Sequence, residues 1–347
     1  ELNIELNLEL FKGFKVQMTW NRTDNRNKQT QFMYAGMPQS LSGSYTRTHC
    51  AIATALRSSK ADNGYVSKAF DDFLANIPVV RQRVEQQYTG LTYPDATFMD
   101  NNALVGQPFD PAVGTVSETS SDVLIPAFLA AYTGRSANTE TLDPFPGFSA
   151  VLPNWRITYD GLINLGNLRS IFKTFTLSHA YQCTYQAGSY SSYLNWASAG
   201  RGDLGFTKDE LSGRPIPSSP YNITSVAITE RFAPLLGVNV TLKNDLRLSA
   251  EYRDQRTVTL NSAAGQVVEA TQRGITVGAG YKIVGFNSFL KIKNRQAGFS
   301  NDLTLNADFS LQHTQALIRR IETNYTQPTS GTRTLNIQFN ASYILSP

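Results

Sequence analysis

The strongest constraint on this chain is an alternation of apolar and polar residues sustained far beyond the length of an ordinary strand. From Leu246 the even positions read Leu246, Leu248, Ala250 and Tyr252, then Val258 and Leu260. The odd positions between them read Arg247, Ser249, Glu251, Arg253, Gln255, Thr257 and Thr259. After a turn-like Asn261-Ser262-Ala263-Ala264-Gly265 the pattern resumes with Val267, Ile275, Val277, Ala279, Tyr281 and Ile283 on one parity. Gly274, Thr276, Gly278, Gly280 and Lys282 hold the other. A period of two sends the apolar set to one face of a strand and the polar set to the opposite face. Each run covers roughly 15 residues, against about five or six for a usual globular strand. A long antiparallel hairpin follows.

The same signal recurs along the chain. Leu2, Ile4, Leu6, Leu8 and Leu10 alternate with polar residues, Lys12-Gly13 turns, and Phe14, Val16, Met18 and Trp20 alternate back. Weaker strands are predicted over 30–35 and 43–56. Trp155, Ile157 and Tyr159 form another, followed by Phe175, Leu177, His179, Tyr181, Cys183 and Tyr185 on one parity. After Gly188 the aromatic parity shifts, as a bulge or turn would require. A strand is expected over 221–232, with Pro234 at a bulge or a turn. Leu303 to Leu311 and Leu335 to Leu345 close the series, giving roughly twelve to fourteen strands.

Three stretches break the period. Phe70, Phe73, Leu74, Ile77, Val80 and Val84 follow a helical stripe, so 66–88 reads as one or two amphipathic helices with Pro78 as a break or kink. Residues 91–150 read as a long loop containing a short helix over 122–132, capped by Ser120 or Ser121 and stopped by Gly134. Ile163, Leu165, Leu168 and Ile171 suggest helical turns over 162–171, and 200–220 reads as a polar loop.

Such a sheet needs a cover for its apolar face. A sandwich supplies one with strands of about six residues, whereas strands of about 9–16 residues suit a tilted barrel wall in a bilayer. The composition agrees: charged residues are only 17% and aromatics 11%, an ordinary mix where one face meets lipid and the other water. The expected fold is therefore all-β with helical insertions, a transmembrane antiparallel β-barrel, with 1–347 forming one partial wall. Leu246, Leu248, Tyr252, Val258, Leu260, Ile275, Val277 and Tyr281 are the expected lipid-facing residues. Trp20, Tyr45, Trp155, Tyr159, Trp196, Phe232 and Tyr281 are placed as an interfacial girdle. Glu1 and Pro347 both fall in strand-like sequence, so the chain reads as a fragment, unable to close alone.

The net charge of +4 is mild, and no basic cluster points to nucleic acid. No run of 18 apolar residues predicts a membrane helix. His49, His179 and His313 form no local triad with a nucleophile, and no nucleophile elbow, zinc-protease or phosphate-loop motif is present. No catalytic, cofactor or metal site is assigned, and no enzyme activity is expected. Cys50 and Cys183 lack any disulfide spacing, and pairing is disfavoured.

One ordered set of strings carries a family resemblance. Leu152-Pro153-Asn154-Trp155-Arg156-Ile157-Thr158-Tyr159-Asp160-Gly161-Leu162 resembles a signature of the SprA/Sov family, the giant outer-membrane translocons of type IX secretion in Bacteroidota. Its flanks, 122–132, 172–185 and 70–88, resemble neighbouring pieces of that family in the same order. Pro153, Asn154, Trp155, Arg156 and Tyr159 are thus signature residues of a scaffold. The resemblance implies the C-terminal part of a single barrel of about 36 strands. It further implies passage of folded cargo proteins, a small PorV-like outer-membrane barrel shuttle and a periplasmic plug as partners, and a bacterial outer-membrane location linked to gliding motility. Pro347 departs from the terminal aromatic usual in outer-membrane barrels, so the resemblance implies further strands. A TonB-dependent transporter, a lipopolysaccharide-inserting barrel, a soluble surface adhesin and an outer-membrane hydrolase remain alternatives.

Overall fold

In the computed structural model the alternating runs become one broad antiparallel sheet. The structure describes residues 1–30, 40–57, 59, 61–95, 102–147, 152–209, 211–287 and 300–343. The chain opens with β1 (Leu2–Phe11), β2 (Phe14–Gln29) and β3 (Ser40–Thr48), followed by α1 (Lys68–Tyr88) and α2 (Ser121–Thr133). It returns to the sheet with β4 (Asn154–Tyr159), then α3 (Leu168–Ile171) and β5 (Phe172–Ser192). Four short strands follow: β6 (Ala197–Arg201), β7 (Leu204–Lys208), β8 (Pro215–Ser218) and β9 (Tyr221–Asn222). The long strands β10 (Ser225–Leu242), β11 (Arg247–Asn261), β12 (Gln266–Asn287), β13 (Ser300–Arg320) and β14 (Tyr325–Tyr343) complete it. Most of the strand expected over 30–35 lies outside the described residues.

The sheet order is β1-β2-β3-β5-β10-β11-β12-β13-β14, with β4 also between β2 and β5. Among the described residues β1 and β14 are its two open edges. β3 pairs with Arg22 to Gln29 of β2, and β4 with Phe14 to Thr19. These two strands therefore share one lane, and residues 49–153 leave it halfway up the sheet. Asn154 joins the halves: its Nδ2 donates to Thr48 Oγ1 at 3.5 Å, and its Oδ1 accepts from Cys183 N–H at 2.7 Å.

The inserted segment forms a cover. α1 starts at Ser67, whose hydroxyl accepts from Phe70 N–H, and it buries Phe70, Phe73, Ile77, Val80, Val84 and Tyr88. That spacing is one helical stripe. Pro78 does not divide it: α1 is a single helix. α2 is buried from Val123 to Thr133, and Phe128 meets Phe73 edge-to-face at 6.2 Å. Gly134 ends it at φ 71°, a conformation that suits glycine, while the Ser120 hydroxyl makes no capping bond. The polar loop predicted over 200–220 is instead a small sheet, β6-β7-β8. Phe206 explains it, being fully buried against Tyr88 at 5.5 Å and Tyr93 at 5.1 Å. Asp122 adds a second anchor, accepting from Ser219 N–H at 2.7 Å.

Pro234 falls in a bulge of β10, between Phe232 and Leu236. His179 fills it: Nδ1–H donates to the Leu235 carbonyl at 2.6 Å. Both cysteines are free, Cys183 buried and Cys50 partly so.

Candidate functional site

Strand register turns the alternation into continuous rows. One row reads Phe11, Phe14, Tyr159, Leu177, Val238, Ala250, Val277, Phe309 and Ile337, crossing every lane of the sheet. Parallel rows carry Leu248, Ala279 and Ala307, and Tyr252, Ile275 and Leu311. These side chains are bare: Leu248 is 39% exposed, Val277 43%, Phe309 40% and Ile337 55%. Soluble proteins rarely leave apolar patches beyond a few hundred Å² uncovered.

The reverse face is the opposite in character. There the row reads Glu9, Lys15, Thr158, Ser178, Gly237, Glu251, Thr276, Ser310 and Asn336. In a neighbouring row a Cβ on Gly278 would lie 2.6 Å from Ser249 Oγ and 2.8 Å from Asp308 Oδ1, so a side chain there would turn both aside. Its absence lets both polar side chains lean over β12. A shallow polar groove of about 330 Å³ results, with Thr176, Asn239 and Arg247 also on its walls.

Above the bare band, the same apolar-parity face is covered. Val258 and Leu260, expected to meet lipid, are fully buried, as are Ile228 and Val226 beside them. They correct that expectation: parity places them on the right face, but the insertion lies over them. Burying each contributes about 1.5–3 kcal/mol. Leu246, Leu248, Tyr252, Ile275, Val277 and Tyr281 stay in the uncovered part, Leu246 half-buried at the turn before β11.

Three ion pairs run from the lower edge of the covered zone into it. Arg256 and Glu230 face each other across β11 and β10 and are joined by Nε at 3.0 Å. Arg319 holds Glu269 at 3.0 and 3.2 Å, and Arg273 holds Asp254 at 2.8 Å. Two of these arginines also grip the insertion. Arg256 donates to the Thr54 carbonyl at 3.0 Å and to its hydroxyl at 2.9 Å. Arg319 donates to the Tyr65 carbonyl and to Ser59 Oγ, both at 2.7 Å. Tyr181 completes the seam, donating to Glu230 at 2.9 Å and accepting from Ala51 N–H at 3.1 Å. None of these residues was singled out from sequence. The signal was present, because charges at 254, 256, 269 and 273 interrupt the apolar parity over three successive same-face rows of neighbouring strands.

The signature residues cluster where the insertion rejoins the sheet. Asn154 is buried in the seam, and Pro153 is half-buried before it. Trp155 stacks on Tyr181 at 4.6 Å, and Tyr159 packs against Phe14 at 5.9 Å. Arg156 lies on the polar face, opposite Gln17 and Ala180. Of the expected girdle, Tyr45 and Phe232 are buried, and Trp196 packs outside the main sheet on Gly205.

Within the insertion, titratable groups serve packing. His49 is fully buried, and burial with help from Arg47 and Arg135 pushes its pKa down to about 3. Burial raises the Asp122 carboxyl, against the pull of Ser219 N–H at 2.7 Å and Ser219 Oγ at 2.6 Å. Among the described residues no three His, Cys, Asp or Glu side chains gather as a metal set, and no helix is long and apolar enough to cross a membrane. His313 lies on β13 between Arg273 and Arg333. No protein-family model and no curated protein matches the chain.

Proposed function

We propose that this chain is part of the wall of a large transmembrane β-barrel in the bacterial outer membrane, whose polar face borders a conduit for proteins. One observation carries the reading: an apolar row that crosses all lanes uncovered, backed by a polar row in the same register. From Ile283 to Ile275 on β12 is eight steps, about 27 Å at about 3.4 Å per residue. A tilt of about 40° projects this to about 20 Å, close to the ~25 Å apolar band of outer-membrane barrels. The long connections that emerge above the band, residues 49–153 and 193–224, match the longer extracellular loops of such barrels.

Protein conduction is the reading that the SprA/Sov resemblance supports. Barrel width grows with strand number, so a wall of this breadth within a longer chain would enclose a wide lumen. Its face is mostly Asn, Thr, Ser, Gln and glycine, with scattered charges such as Arg247, Glu251 and Arg253. It offers cargo solvated polar contacts rather than an apolar surface. Secreted proteins, a PorV-like shuttle barrel and a periplasmic plug are the proposed partners, and no chemical step is assigned to the wall. The test places a photo-crosslinking residue at Ser310 or at Phe309 in the full-length protein in cells. Ser310 should trap secreted protein and Phe309 should trap lipid. Lipid capture at both positions, or cargo capture at neither, defeats the reading.

A further inference from the structure

After β3 the chain crosses the apolar-parity face of the sheet at the lower border of the cover. Arg256 on β11 holds the Thr54 carbonyl at 3.0 Å, and Arg319 on β13 holds the Tyr65 carbonyl at 2.7 Å. Ser59, between them, accepts from Arg319 at 2.7 Å. Residues 52–66 therefore form a strap pinned to the sheet on two lanes. The pins also set its height. Arg256 stands four residues above Tyr252, the first bare apolar side chain of β11 below the cover. Four steps of about 3.4 Å, tilted by about 40°, raise the strap roughly 10 Å above Tyr252 along a barrel axis.

Thr54 is buried, yet Ile52 and Leu56 on either side of it are 42% and 50% exposed, and Val66 beside the second pin is 61% exposed. Leu56 also stands at φ 59° and Tyr65 at φ 60°, in the left-handed region that bulky side chains avoid. Such strain persists only where the surroundings enforce it, and it gathers at contact sites. Arg256 and Arg319 hold the chain beside both positions, and the outcome is a leucine left half out of the core. Charges in the strap are few and of both signs, Arg57, Lys60 and Asp62. Its attraction to a surface is therefore apolar rather than electrostatic.

We propose that this strap is the edge by which the cover rests on the membrane, with Ile52, Leu56 and Val66 entering the boundary between headgroups and acyl chains. The inference rests on the band facing lipid. A strap roughly 10 Å above the first bare row lies at headgroup height, and interfacial elements bury their apolar side about 5–10 Å into that boundary. Continuity favours lipid over a protein partner, because the bare rows run up to the strap on the same face.

The test places a fluorescent amino acid at Leu56, Phe309 or Leu211 of the full-length protein in phosphatidylcholine vesicles. Bromine quenchers sit either near the headgroup end of the acyl chains or in their middle. A label at Leu56 should be quenched about two-fold more by the shallow bromines, and one at Phe309 more by the deep ones. Leu211, 98% exposed in the turn between β7 and β8, should be quenched by neither. Labels at Ile52 and Val66 repeat the reading if a label at Leu56 disturbs the fold. Quenching at Phe309 but at no strap position overturns the strap while the band reading stands. Equal quenching at Leu211 and Leu56 overturns the strap as the contact edge. No quenching at Phe309 overturns both.

Discussion

Leu248 and Leu260 stand on the same face of the same strand, yet one is 39% exposed and the other fully buried. Everything that separates them lies in what the chain does elsewhere. Below the ion pairs, nothing described covers the apolar rows from β1 to β14. Above them, residues that left the sheet at Thr48 and rejoined it at Asn154 supply two helices, and the connection after β5 adds the small sheet β6-β7-β8. Alternation fixes the side to which a residue points. It does not fix what that side meets, and here one face meets two different surroundings along a single strand.

The boundary between the zones offers the sharpest way to break this contrast. Arg256→Met leaves the Glu230 carboxylate buried without its cation and removes the grip on Thr54. The expected loss is about 3–5 kcal/mol, localised to the cover. Hydrogen exchange on the full-length protein should show the backbone around Thr54 and α2 opening while Val277 and Phe309 keep their protection. The double variant Glu230→Leu/Arg256→Met should recover most of that loss, because a well-packed apolar pair often replaces a buried ion pair at no cost. If the double variant is as unstable as the single, the pair is not what joins the zones.

A second comparison moves down into the bare half. Leu248→Arg should cost about 2–4 kcal/mol in a bilayer if the site lies near the midplane, and Ser249→Arg on the polar face should cost little. Leu260→Arg should be damaging in any solvent, since it places a charge in a packed core. Folding yield in lipid against detergent separates the cases. A Leu248→Arg penalty that is the same in both would argue that the band is covered by protein rather than lipid.

The sheet was legible from sequence because a period of two needs no tertiary information. That period assigns Leu248 and Ala279 to the apolar parity and Ser249 and Gly278 to the other, while their pairing also depends on the turn at 261–265. The stripe of α1 was legible for the same reason. What escaped depended on long-range packing. Val258 and Leu260 obey the lipid-facing pattern residue for residue, and only their burial in the folded chain distinguishes them. Phe206 orders β6, β7 and β8 through partners over a hundred residues away in sequence, Tyr88 and Tyr93. The ion pairs announced themselves as faults in the apolar parity at 254 and 256, but a fault does not name its partner.

The cover should also respond to acid in a way the bare band does not. His49 has a folded pKa of about 3, against about 6.5 when unfolded. Between these values the unfolded state binds more protons, so stability falls as pH drops. The contribution is complete above the unfolded pKa and shrinks as pH falls towards the folded one. By about pH 5 the loss is about 2 kcal/mol. Asp122 acts in the opposite sense, because its raised pKa lets the folded state take up a proton first as pH falls. Melting of the full-length protein between neutral and mildly acidic pH, with and without His49→Gln, isolates the histidine. A slope unchanged by that substitution would show that His49 does not govern the cover's acid response.

The smallest expected effect comes from making one substitution in both zones. Ala127 lies in α2 with no exposed surface, packed among aromatic and aliphatic neighbours. Adding the extra carbons of Ala127→Leu forces those neighbours aside, a strain of about 1–3 kcal/mol. Ala250 is exposed on the bare face of β11, between Val238 and Val277 in register. There Ala250→Leu meets no wall, and its added apolar surface should enter whatever already wets the band. In lipid the change should be within about 0.5 kcal/mol, as for surface sites generally. Thermal melting of the full-length protein in lipid, with the two variants compared directly, reads the difference. A loss at Ala250 as large as that at Ala127 would mean that the lower half is packed against protein, and the contrast between the two zones would fail.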